Sequence, residues 1–420
     1  MSIHNNPKNN SLNQNKNISF DKKRRMKGEE IARRCRIKQT RNGWYVPSQS
    51  RHRSYVVILK ENEPTCTCPD FKFRHKKCKH IFAVETIIRK EIDKEGNATI
   101  TKTVRMTYSQ DWSAYNLAQQ KEKLMFMELL HDLCKAIEQP QYVFGRPKLS
   151  LSDMVFCSAF KIYSTYSGRR FTSDMNIAKE KGYITKVPHY NSIFNYLQKE
   201  ELTQILKRLI EISALPLKSI ETNFAVDSSG FSTSRFDRWF DTKFGKKKEI
   251  KRWIKAHIIC GVKTNIITSV ELTSSAEHDA KFLPQLVSRT SENFDVKEVS
   301  ADKGYSSKKN LRIVDEIGAM PYIPFKSNTT SKPRGCKIWR NMWHYFMYKH
   351  DEFLQHYHKR SNVETTFHMI KSKFGDSVKS KTKTAQINEV LCKILCHNIC
   401  VIIEEIHELK IEPNFMRISI

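Results

Sequence analysis

The sequence predicts an α/β fold, a mixed sheet flanked by helices, preceded by a helical region and a small metal-binding module. Three observations predict it. In the C-terminal half, short apolar runs at 223–226, 256–262, 266–273, 296–301 and 320–324 read as strands. Amphipathic stretches at 278–289, 306–317, 352–374 and 385–408 punctuate them as helices. Three successive strands, then helix, strand, helix, strand and a last helix is an order that buries a sheet between helical layers. Ahead of it, residues 105–140 repeat apolar positions at helical spacing (Leu124, Met127, Leu130, Leu133, Ile137), and helix-like sequence continues to about 213. Finally, three cysteines and a histidine crowd into residues 66–80.

In chain order, residues 1–25 are polar, Asn-rich and basic, and are expected to be disordered. Residues 26–95 form the metal module, with strand-like pieces at 43–46 and 55–59 and a helical segment over 81–92. Residues 96–215 are expected to be helical, and residues 216–420 to form the α/β domain, closed by a C-terminal helix.

The 420 residues include 73 Lys and Arg against 44 Asp and Glu, a net charge of +29. That excess favours a polyanionic partner, and 39% hydrophobic residues is enough for folded cores. No stretch is long and apolar enough to span a membrane, and no signal-peptide core is seen near the N-terminus. Eleven cysteines, an odd number unevenly spread, fit reduced thiols in a cytoplasm better than a disulfide framework. Nucleic acid is the expected partner.

Cys66-x-Cys68 is followed nine residues later by Cys78-x-His80. Two close pairs of thiolate and imidazole donors suit tetrahedral Zn²⁺, and the second pair is expected to open a helix that orients His80. The metal would hold together a module too small to be stable by burial alone. The pattern resembles the SWIM zinc finger. His75, between the pairs, reads as solvent-facing. Cys392, Cys396, Cys400 and His397 lie at i, i+4 spacing in an apolar helix and read as core.

Three acidic residues have a different setting. Asp227 ends the run Phe224-Ala225-Val226, Asp302 follows Val296 to Ala301 and opens Asp302-Lys303-Gly304-Tyr305, and Glu364 lies in Tyr357-x2-Arg360-x3-Glu364-x6-Lys371. If the first two strands are neighbours, Asp227 and Asp302 face each other from the strand ends, and Glu364 joins them from a helix. Gathered carboxylates repel by about 4 kcal/mol per pair at 4 Å and a dielectric near 20, so such a cluster makes sense as a cation cage. At about 100° per residue, Tyr357, Arg360, Glu364 and Lys371 fall within an arc of about 60°, beside the apolar stripe of Val363, Phe367, Ile370 and Phe374. Ser361-x-x-Glu364 also reads as a capping box that would start the helix at 362. The longer helix, closed by Gly375, is the reading adopted.

These motifs resemble the DDE transposases of bacterial and archaeal insertion sequences, in the group marked by a Tyr-x2-Arg-x3-Glu-x6-Lys signature. Gly145 to Arg170 is also similar to the segment ahead of their catalytic domain, so the likeness covers roughly residues 145 to 405. The resemblance implies that the helical region 96–215 binds DNA ends and that residues 216–420 are an RNase H-like catalytic domain in which Asp227, Asp302 and Glu364 are catalytic and hold Mg²⁺ or Mn²⁺. It implies metal-dependent nicking at the ends of an insertion sequence, then attack of the freed 3′-hydroxyl on target DNA. Tyr357, Arg360 and Lys371 would contact phosphates. The partners it implies are double-stranded DNA, as terminal inverted repeats and as target, and a second copy of the chain in a synaptic homodimer. The place would be the prokaryotic cytoplasm, at the nucleoid.

Around this site, residues 238–255 interleave Arg238, Lys243, Lys246, Lys247, Lys248, Lys251, Arg252 and Lys255 with Trp239, Phe240, Phe244 and Trp253. Lys247, Lys248 and Arg252 are the expected DNA contacts there. Trp339 or Trp343 could stack a flipped base or pack in the core. Asp279 reads either as a further acidic neighbour or as a helix-start charge. Two rival readings of the chain are a catalytically inactive, zinc-containing DNA-binding regulator and an RNase H-like nuclease.

Overall fold

The computed structural model describes residues 24–32, 35, 37–40, 43–48, 54–59, 64–92, 98–102, 111–141, 144, 148–233, 253–274, 277–332 and 335–415. The expected disordered tail falls almost wholly outside them. The chain divides into two compact units, Met1–Ser109 and Gln110–Ile420.

The first unit is a small antiparallel sheet in the order β1 (Lys38–Thr40), β2 (Gly43–Pro47), β3 (Ser54–Ile58), β4 (Thr65–Cys66). The helix Lys79–Ile87 covers it, so that Trp44, Val46, Val57, Ile81 and Val84 close a core around the buried Cys66, Cys68 and Cys78. The expected helix over 81–92 is shorter than the sequence suggested. Residues 88–92 are strand β5, paired with β6 (Ala98–Lys102), which suits the β-branched isoleucines at 88 and 92.

The second unit opens with five helices, Trp112–Cys134, Leu151–Ser164, Gly168–Glu180, Tyr190–Leu197 and Glu200–Ala214. Asp111, Ser150, Ser167 and His189 cap the first four by accepting backbone N–H bonds. Met127, Leu130 and Leu133 are buried as their spacing predicted, but Leu124 faces outward, 56% exposed.

The sheet of this unit has five strands in the order β11-β10-β7-β8-β9: β7 (Asn223–Ser232), β8 (Trp253–Gly261), β9 (Ile267–Ser274), β10 (Glu298–Ala301) and β11 (Met320–Tyr322). The first three pair antiparallel, while β10 runs parallel to both β7 and β11. The helices between β9 and β11, Leu283–Ser291 and Lys308–Glu316, make the parallel return possible. Helix Lys383–Glu408 is buried along most of its length and packs on the helices 200–214, 112–134 and 151–164. Asn398 ties it to the sheet edge, accepting from the Ile267 amide (3.0 Å) and donating to the Ile267 carbonyl (2.7 Å). Among the described residues no helix is long and apolar enough to cross a membrane.

One topological detail sets the site. Strand β7 is ten residues long, but β10 pairs with only its first half, the last register pair being Ala301 with Val226. From Asp227 to Phe231 β7 keeps β8 on one edge, with no described strand on the other. Helix Ser361–Phe374 packs along β7, and the far end of the overhang is clasped by the chain beyond that helix: the Ser232 amide donates to Asp376 O (3.0 Å) and the Val378 amide to Ser232 O (2.9 Å).

Candidate functional site

Asp227 and Asp302 are the residues that follow the last register pair, so the neighbouring strands deliver both carboxylates to one place. Asp227 does not end its strand, as the apolar run suggested; it lies mid-strand, where its parallel neighbour stops. Asp302 leaves the sheet as the residue before a 3-10 turn, Lys303–Tyr305.

The third acidic residue arrives on a helix that is broken where the sequence suggested continuity. Helix His350–Tyr357 passes through a 3-10 turn, His358–Arg360, into helix Ser361–Phe374. The chain stays right-handed throughout but tightens for one turn, which rotates Tyr357 and Arg360 relative to an ideal α-helix. Nor does the capping box form. The Ser361 hydroxyl donates backward to His358 O (2.9 Å), and Glu364 is engaged instead by Arg360. Gly375, at φ 85°, ends the helix as expected. Glu298 pins the tight turn, accepting from Lys359 at 2.6 Å and lying 2.9 Å from His356 Nδ1.

Arg360 is the hub of the acidic cluster. Its guanidinium donates to Glu364 Oε1 at 2.6 and 2.7 Å and to Asp227 Oδ2 at 3.4 Å. Burial pushes the Asp227 carboxyl above the usual carboxylate range, and Glu364 and Asp302 push the same way. The Ser228 amide (2.8 Å) and Arg360 oppose the rise. Tyr357 is half-buried over the same three carboxylates, and burial raises its phenol first. Lys371 donates to Ser229 Oγ at 2.6 Å and lies 5.4 Å from the Phe231 ring centre. Ser229 and Phe231 alternate with Asp227 along β7 and share its face. Ser229 was missed in the sequence, although its i+2 offset from Asp227 was a usable signal.

With Arg360 inserted, the acidic side chains do not close on a common point. Among the described residues, the one group of three or more His, Cys, Asp or Glu side chains gathered tightly enough to hold a metal is Cys66, Cys68, Cys78 and His80. The Glu364 side chain is 61% exposed and has room to turn from Arg360 toward the strand ends.

The Cys/His group is complete and buried, its four ligand atoms within 4.8 Å of one another. Cys66 comes from β4, and Cys68 caps the short helix Pro69–Arg74, its sulfur accepting from the Phe71 amide (3.4 Å). Cys78 immediately precedes the helix that carries His80 in its first turn. His80 Nδ1 points at the thiols, 3.9 Å from Cys66 Sγ and 3.8 Å from Cys78 Sγ. The hydrogen bond with Cys66 holds the Cys78 thiol low. A buried set of soft donors fits Zn²⁺. His75 is exposed, as expected.

Other candidates resolve differently. Cys392 and Cys396 are fully buried, and His397 Nε2 meets Asn265 O at 3.0 Å, so that group is core. Trp339 and Trp343 donate to Thr330 O (3.0 Å) and Thr329 O (3.3 Å), and Trp339 is buried against Phe325. Both rings anchor a loop. Asp279 is taken by Lys255 and lies 3.5 Å from the buried His257. Lys247, Lys248 and Arg252, with the other basic and aromatic residues of 238–252, lie outside the described residues.

Residues 218–399 match the family model of the transposase DDE domain, and residues 55–88 that of the SWIM zinc finger. No curated protein and no solved structure matches the chain. The first match spans all five strands of the mixed sheet and the three acidic residues, and the second spans all four Cys/His donors. The mixed sheet is therefore that of an RNase H-like domain.

Proposed function

We propose that this chain, which carries a transposase DDE domain and an N-terminal SWIM zinc finger, cuts DNA at the ends of an insertion sequence and joins the freed ends to target DNA. The observation that carries the reading is the strand register: Asp227 and Asp302 stand side by side where β10 stops, with Glu364 one guanidinium away.

Asp227, Asp302 and Glu364 would hold Mg²⁺ or Mn²⁺, hard cations that take carboxylate oxygens. Once bound, the metal supplies Lewis-acid activation of the attacking oxygen and stabilises the leaving one. The remaining work falls to the chain itself. Arg360 neutralises Asp227 and Glu364 and would be available to a phosphate when Glu364 turns away. Lys371, held over Phe231 by Ser229, offers a second cation on the same face, and Tyr357 a hydrogen-bond donor. In the first step water attacks the phosphodiester at the element's end and the 3′-oxygen leaves. In the second that 3′-hydroxyl attacks a target phosphodiester, and the target strand's own 3′-oxygen leaves. The DNA partners are duplex ends and duplex target, and a homodimer pairs the ends in the prokaryotic cytoplasm.

The test is a strand-transfer assay with purified protein, Mg²⁺ and a duplex bearing the element's own end. Wild type is expected to join that end to a plasmid, and Glu364→Gln to bind the DNA but lose joining by about a thousandfold or more. Equal joining by both would remove Glu364 from the chemistry. DNA binding without any cleavage by wild type would favour the inactive regulator.

A further inference from the structure

Between its two ligand pairs the zinc module presents a short helix, Pro69–Arg74, whose outer ring packing does not explain. The helix has no fully buried residue and leans on the core through the half-buried Phe71. Phe73, at its last turn, is 87% exposed, the second most exposed of the large hydrophobic side chains among the described residues. An aromatic ring left in water while Phe71 does the packing calls for another partner.

The ring's surroundings say which. Asp70, the one acidic residue of the segment, is matched by Arg74 (3.4 Å) and Arg24 (3.5 Å). Lys77 pairs with Glu85 at 2.7 Å. Lys72, next to Phe73 in the helix, and Lys76, just past the turn at His75, are exposed and have no ion pair among the described residues. Ser54, Tyr55, Thr67 and Pro69 complete a shallow groove with Lys72 and Phe73. The segment is also fixed in place. Cys68 caps the helix at one end, His75 closes it in the left-handed conformation (φ 50°), and Cys78 fastens the chain beyond. An exposed aromatic flanked by unpaired cations on a rigid support matches an unpaired nucleotide, whose base stacks on the ring while its phosphates meet the lysines. A duplex contacted only through its backbone would use the lysines and leave Phe73 idle.

We infer that the zinc module is a single-strand reader: Phe73 stacks an unpaired base, and Lys72 and Lys76 hold the adjoining phosphates. This goes beyond the cutting and joining reaction and does not depend on it.

The test uses the zinc-loaded full chain and an oligonucleotide duplex whose 3′ overhang carries 5-iododeoxyuridine. After irradiation, the cross-linked peptides are mapped by mass spectrometry. The expected product joins the overhang to Phe73. Phe73→Ala should lower its yield roughly tenfold, Phe73→Tyr should restore it, and Lys72→Ala/Lys76→Ala should lower it at low salt and flatten its dependence on salt. Phe73 is exposed, so zinc content should stay at wild-type level in every variant. Asp227→Asn/Glu364→Gln should cross-link normally, which keeps this outcome separate from the fate of the catalytic reading. The inference fails if the overhang cross-links only outside residues 69–77. It fails equally if the same base cross-links to Phe73 as well within a continuous duplex. A finger built for a protein partner would give no adduct at residue 73.

Discussion

Val226 and Ala301 are the last register partners of a parallel strand pair, and the next residue on each chain is an aspartate. The separation of Asp227 and Asp302 is therefore a property of backbone hydrogen bonding and not of side-chain choice. Glu364 approaches them by a softer route, an exposed side chain on a helix, linked to Asp227 through Arg360. Two carboxylates are preset and the third is adjustable.

Removing Arg360 tests that division. In Arg360→Ala the Asp227 carboxyl, already raised by burial, loses its opposing cation. Without divalent metal the variant should melt lower than wild type, by about 1 kcal/mol given the exposure of Glu364. Millimolar Mg²⁺ should restore much of the loss, and differential scanning fluorimetry at several Mg²⁺ concentrations reads both effects. If Mg²⁺ leaves the variant's melting point where it was, the acidic residues do not bind it.

A pH dependence follows from Glu405 on the long helix. Burial, reinforced by Glu408, Glu404 and Glu221, pushes its carboxyl up to about 8. Between the unfolded value near 4.5 and that folded value, the folded chain keeps a proton that the unfolded chain gives up, so stability falls as pH rises through the window. Glu405→Gln removes this loss. Its melting point should equal wild type near pH 4 and exceed it increasingly up to pH ~8, then stay constant. A difference that shrinks with rising pH would contradict the assignment.

Gly261 has a packing reason that its neighbours in β8 lack. A Cβ there would stand 2.3 Å from Glu221 Cδ. Glu221 has no freedom to retreat, because its carboxylate accepts from the Lys263 amide (3.0 Å), the Thr264 amide (2.5 Å) and the Thr264 hydroxyl (2.8 Å). Gly261→Ala should cost about 1–3 kcal/mol in urea denaturation, whereas Gly318→Ala pays only for its positive φ and meets no atom. Equal costs would show that Glu221 moves.

Zinc removal should act on one unit only. A strong chelator at neutral pH is expected to abolish the small sheet's cooperative melting and leave the transition of residues 110–420 in place. Circular dichroism melts with and without chelator measure this, and metal analysis should find one Zn²⁺ per chain. Cys78→Ser should behave as the chelated protein does.

Much of this was legible in the sequence because the informative residues end apolar runs. Phe224-Ala225-Val226 before Asp227 and the run before Asp302 could be read as strands, and the paired spacing of Cys66 to His80 survives any uncertainty in the strands around it. The helix carrying Glu364 was harder. Periodicity at 100° per residue cannot see a single 3-10 turn, because His358-Lys359-Arg360 has no residue that forbids either helix type. The open half of β7 was invisible for another reason: how far a strand outruns its neighbour depends on where that neighbour turns away. Trp339 and Trp343 were ambiguous for lack of a partner in sequence; their carbonyl acceptors sit in a loop with no apolar pattern.

Helix 383–408 has a kinetic consequence. It contacts helices that begin at residue 112 and strands that begin at residue 253, and Asn388 alone reaches back to donate to the carbonyls of Leu197 and Lys199. A ribosome therefore releases the other described helices and strands of this unit before the piece they close around. Until then Lys393 cannot reach the Gly375 and Ser377 carbonyls that it holds at 3.0 and 2.8 Å, just past the helix bearing Glu364. Folding of the unit must await synthesis of this helix, with apolar surface exposed meanwhile. A nascent or truncated chain would carry the three acidic residues without the scaffold that assembles them.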